Sequence, residues 1–112
     1  AEALQALMGF YLSDLHCQHT AKGCAMAALA GDVARAGAAL KGTFETGIDN
    51  FLRVLEPLMQ GDEPAERREQ ALAALSQLVG ALVLSRAVRS PELSGELRAA
   101  AGASVLRGAA AG

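Results

Sequence analysis

The densest group of chemically versatile side chains in this 112-residue chain is His16, Cys17 and His19, with Asp14 and Cys24 close enough in sequence to join them. Imidazole and thiolate are common zinc donors, but the spacing matches none of the usual paired-ligand patterns, and a fourth ligand would have to come from Asp14 or Cys24. A solvated polar loop is the expectation, and neither a metal nor another cofactor is expected. Cys24 is a candidate thiol sensor, since a helix start with Lys22 nearby favours thiolate, although a buried cysteine more commonly serves as a small apolar residue. Nothing in the sequence demands a bridge between Cys17 and Cys24. Ser76, Ser85 and Ser104 lie in Ala/Leu-rich segments with no histidine nearby in sequence. With no nucleophile, base and orienting group in a recognisable arrangement, the chain does not read as an enzyme.

A binding pocket needs a concave apolar wall with a few polar groups aimed into it. Phe10, Tyr11, Met26, Phe44, Ile48, Phe51 and Leu55 supply most of the bulky, adaptable side chains, and the Tyr11 hydroxyl could orient a ligand. These are the candidate pocket residues. The competing reading is that they pack against one another, as every stripe at helical spacing can.

Helices must position them. Leu4, Leu7, Met8, Tyr11 and Leu15 recur at three and four residues, which predicts a first helix over about 2–12. Residues 13–22 lack periodicity and read as a loop, followed by a short, mostly buried second helix over about 24–36. The stripe Leu40, Phe44, Ile48, Phe51, Leu55 and Met59 predicts a third helix from Ala38 to Glu56 or Leu58, ended or kinked by Pro57. Asp62 or Glu63 can cap a fourth helix that has Pro64 in its first turn and runs to about Val88. Its apolar residues fall on two stripes, Leu72, Leu75, Val79, Leu82 and Ala71, Ala74, Leu78, Ala81, so burial on two sides is expected. Ser90 and Pro91 announce a fifth helix reaching about Arg107, with Glu92 favourably placed at its positive end. Residues 108–112 are expected to fray.

The composition is 52% hydrophobic and only 4% aromatic, dominated by alanine and leucine, which argues for an all-α fold in a single domain over residues 1–112. The mean hydropathy of +0.24 exceeds what one small core easily hides, so a homodimer is the simplest cover. A net charge of −2 and a pI near 5.6 lack the cationic excess that phosphate neutralisation requires. This segment is therefore not expected to grip nucleic acid. The N-terminus does not read as a signal peptide and no membrane span is expected, which places the chain in the cytoplasm. The mixed-sign run from Asp62 to Glu69 reads as a solvated helix start. An opening at Ala1 that enters a helical pattern at once is expected of a piece of a longer protein.

Two segments carry a resemblance. Lys22 to Arg35, KGCAMAALAGDVAR, and Leu78 to Leu97, LVGALVLSRAVRSPELSGEL, resemble the C-terminal domain of one branch of the tetracycline-repressor family of transcriptional regulators, in order and spacing. The resemblance implies about five helices around an effector cavity, with the last two helices of each subunit forming a four-helix bundle in a homodimer. It also implies that a small apolar or amphipathic effector controls, allosterically, an N-terminal helix-turn-helix domain that binds operator DNA and would precede Ala1. The interface would draw on Leu75, Val79, Leu82 and Arg86 of the fourth helix and Leu93, Leu97, Ala100 and Ala101 of the fifth. Ser76 and Gly80 would permit close approach. The alternative is a self-sufficient dimeric helical interaction module whose groove accepts a partner helix.

Overall fold

The computed structural model describes residues 2–12, 34–35 and 37–111. They are helical, with no strand among them: α1 (Glu2–Tyr11), α2 (Ala38–Leu55) continued by a single 3-10 turn (Glu56–Leu58), α3 (Pro64–Ala87) and α4 (Pro91–Ala111). The all-α expectation holds, and the boundaries follow the punctuation read in the sequence. Of the predicted second helix over 24–36 only Ala34 and Arg35 are among the described residues, and they form a turn.

Pro57 acts as expected. It cannot donate a backbone hydrogen bond, and the α-helical ladder gives way at Leu55 to the tighter turn that holds it. The chain then reverses at Gly61, whose φ of 132° lies where side-chain-bearing residues are strained. An added Cβ there would meet Glu66 Oε2 at 3.0 Å and Glu66 Cβ at 3.2 Å. The Gly61 carbonyl also accepts a 2.7 Å hydrogen bond from Arg67 Nη1, tying the turn to the first turn of α3. Gly61→Ala is therefore expected to cost about 1–3 kcal/mol, read as a lowered midpoint in urea unfolding.

Glu63 occupies the N-cap position of α3, but its side chain makes no capping hydrogen bond; Pro64 in the first turn sets the helix instead. The start of α4 has a conventional cap: Ser90 Oγ accepts from the Leu93 N–H at 3.1 Å, and the Ser94 N–H bonds to the Ser90 carbonyl at 3.0 Å. Ser90→Ala should cost about 1 kcal/mol, measurable by denaturant unfolding, while Ser90→Asp should retain most of the stability. The salt bridge between Arg68 and Glu56, 3.0 Å long, has side chains 55% and 35% exposed. Solvent screening leaves such a pair little to contribute.

The core gathers around α3. Leu78 and Leu82 are fully buried, Leu52 and Leu55 enter from the end of α2, Leu4 from α1, and Val105 from α4. α3 and α4 form the most extensive helix pair, joined by the short link from Val88 to Ser90. Ser85 seals their junction: its buried hydroxyl lies 2.6 Å from the Ala81 carbonyl and 3.2 Å from that of Ser94, so the hydroxyl is not stranded in apolar surroundings.

Three local expectations need correction. The two apolar stripes of α3 merge on one side: Leu75 and Leu82 join Ala71, Ala74, Leu78 and Ala81 in one broad buried arc with Val79 packed against it, while Leu72 is 41% exposed. On α4 the inward positions are Ser94, Arg98, Gly102, Val105 and Ala109, whereas the spacing of apolar and small residues predicts a stripe at Leu93, Leu97, Ala100, Ala101 and Ser104. The end of α4 does not fray at Gly108, because the helix continues through Ala111 and Ala109 packs into the core.

Candidate association face and ligand groove

From Gln70 to Ser85, α3 carries no charged residue. Only one arc of a helix can face the core, so an uncharged stretch of this length must present apolar side chains outward as well. Leu72, Val83 and Leu84 are 41%, 39% and 52% exposed, and Ala73, Ser76 and Ala87 lie between them. Ser76 Oγ donates 2.9 Å to the carbonyl of Leu72 one turn back, so its hydroxyl is satisfied within the helix. α4 extends the patch with Leu93, 44% exposed, and Ala100, alongside half-buried Leu97. Gln77 Nε2 donates to Ser104 Oγ at 2.8 Å and pins the two outer flanks together. Charged residues stay at the margins: Glu66, Arg68 and Glu69 at the start of α3, Arg89 in the link, and Glu92, Glu96 and Arg107 along α4. An apolar centre with a charged rim is the anatomy of a protein interface.

By length and composition alone α3 could also cross a membrane; 39% of its most apolar window is buried within the chain.

Between α1 and α4 lies an open groove of about 470 Å³. Its described lining is mostly small: Gly9 on α1, with Gly95, Ala99, Gly102 and Ala103 on α4, supplemented by Gln5, Leu12, Leu106 and Arg98. Gly102 is the point of closest approach, because a Cβ there would sit 3.0 Å from the Leu12 side chain. Arg98 is only 7% exposed. Its Nη1 donates 2.8 Å to the Leu12 carbonyl just beyond α1, and its Nε donates 3.2 Å to the Ser94 carbonyl one turn back. The guanidinium is thereby fixed at the junction of the two helices.

The residues singled out in the sequence are distributed differently from the expectation. Of the candidate pocket, Leu55 is fully buried in the core, while Phe44, Ile48 and Phe51 are half-buried along α2, with Ile48 and Phe51 packed against that core. None of these four lines the α1–α4 groove. Met26, Cys24, His16, Cys17 and His19 lie outside the described residues, as do the side chains of Phe10 and Tyr11. Among the described residues, no cluster of histidine, cysteine and carboxylate groups could hold a metal ion. Of the expected interface, Leu75 and Leu82 are covered by the chain itself, and Val79 and Arg86 are half-buried on the flank of α3. Leu93, Leu97, Ala100 and Ala101 lie on the α4 side, with Leu93 and Ala100 exposed. Sequence reasoning missed Leu84, Val83 and Arg98; the uncharged run of α3 was the signal for the first two.

No family model, curated protein or solved structure matches the chain. Its class is defined by the fold alone: an all-helical domain closed by an antiparallel helix pair.

Proposed function

We propose that this chain is the homodimerising, effector-binding domain of a cytoplasmic transcriptional regulator of the tetracycline-repressor type, not an enzyme. The uncharged outer face of α3 and α4 carries this reading. It lies on the last two helices, where the resemblance in Leu78 to Leu97 calls for a dimer bundle. The groove between α1 and α4 supplies a second, separate concavity within the roughly 300–1,000 Å³ range of small-molecule sites. Operator binding would belong to a helix-turn-helix segment outside these residues, coupled to the groove through the helices that line it.

The test is the melting temperature of the chain against a panel of small apolar and amphipathic compounds. A ligand that binds the folded state alone raises the midpoint in a concentration-dependent way, by about 2.7 kcal/mol at a hundredfold excess over Kd. At least one such response is expected. A flat response to the whole panel would overturn the effector-binding half of the reading and favour an interaction module that recognises helices.

A further inference from the structure

Among the described residues, three polar or charged side chains are buried, Ser85, Ser94 and Arg98, and all three belong to one polar network that crosses from α3 through α4 to the end of α1. The Ser94 carbonyl is its centre: the Ser85 hydroxyl of α3 lies 3.2 Å from it, and Arg98 Nε donates to it at the same distance. Arg98 Nη1 donates to the Leu12 carbonyl at 2.8 Å, and Arg98 Nη2 lies 3.5 Å from Ser94 Oγ. The guanidinium is thus engaged within the chain, as a clasp between helices.

The network reaches both candidate surfaces. Leu12 and Arg98 line the groove between α1 and α4. Ser85 follows Leu84 in the sequence and Ser94 follows Leu93, the two most exposed leucines of the outer face. A backbone shift at either serine therefore moves a leucine of that face. Resting on the homodimer reading, we propose that this network couples the groove to the association face, so that parting α1 from α4 weakens the binding of a second copy. Parting the helices at Leu12 removes one acceptor from a buried guanidinium, which is costly. The shared Ser94 carbonyl passes the change on to Ser85 and α3, because a close-packed interior transmits strain. By linkage, a groove occupant that parts the helices binds the single chain more tightly than the dimer, by the same factor.

The test parts the helices with a side chain. A Cβ added at Gly102 already sits 3.0 Å from the Leu12 side chain, whereas one added at Gly9, in the same groove, meets nothing within 4 Å. Sedimentation equilibrium of the intact chain then gives the dimer Kd of each variant. Gly102→Leu is expected to raise it about ten-fold, a factor typical of coupled sites, with the far-UV helical signal retained. Gly102→Ala, a smaller wedge, should raise it less and serves if the larger one folds poorly. Gly9→Leu should stay within about two-fold of wild type, as an uncoupled substitution does. In a Ser85→Ala background the Gly102→Leu effect should shrink to about two-fold or less, which a packing defect confined to Gly102 would not do. An unchanged Kd in both Gly102 variants, or an equal loss with and without the Ser85 hydroxyl, overturns the coupling and leaves the dimer standing. If the unsubstituted chain is monomeric at every concentration, the dimer reading fails and the coupling with it.

Discussion

Leu82→Glu is expected to unfold the chain. Leu82 is fully buried among the core leucines of α3 and its neighbours. Removing a leucine from such a site typically costs about 2–5 kcal/mol, and an ionised carboxylate left there without a partner adds a penalty of several more. A domain of this size has only about 5–15 kcal/mol of stability in total. The expected result is loss of the cooperative thermal transition and most of the far-UV helical signal, with aggregation of the exposed core. The sequence alone placed Leu82 in a dimer interface, where the same substitution would separate subunits. A well-folded monomeric Leu82→Glu protein would show that the packing around α3 is wrong.

Leu84→Glu, two residues further along the same helix, should have the opposite character. Leu84 is 52% exposed and lies on the outer arc with Leu72 and Val83. In the single chain a glutamate there stays in water and costs little. In a dimer closed by this face it would bury a charge at the centre of the interface, an effect of about 2 kcal/mol or more, roughly 30-fold in dimer Kd. The helical signal should survive while the mass falls to that of one chain. Unfolding of Leu84→Glu would mean that the outer arc is part of the subunit's own core; an unchanged dimer would move the interface elsewhere.

These two residues show where the sequence was legible and where it was not. Helix boundaries were written in local chemistry: Pro57, Pro64 and the Ser90–Pro91 cap acted as punctuation that needs no tertiary context. Facing directions were harder. On α3, leucine or valine occurs on nearly every side, so periodicity could not distinguish Leu82, which is buried, from Leu84, which is not. On α4, alanine and glycine are spread all round, and two inward positions belong to Ser94 and Arg98, which hydropathy assigns to solvent. Both are accommodated by hydrogen bonds, one of them from Arg98 to the distant Leu12 carbonyl, that spacing does not reveal. The groove was invisible for a related reason. Aromatic and methionine side chains are the residues that suggest a pocket wall in a sequence, whereas the described lining owes its space to glycines and alanines, which look like helix filler.

We expect a second copy of the chain to cover the outer face of α3 and α4. Sedimentation equilibrium of the unmodified protein across the micromolar range tests it most directly. A mass twice that of the 11.5 kDa chain, dissociating on dilution, is expected. A single-chain mass at every concentration would contradict it.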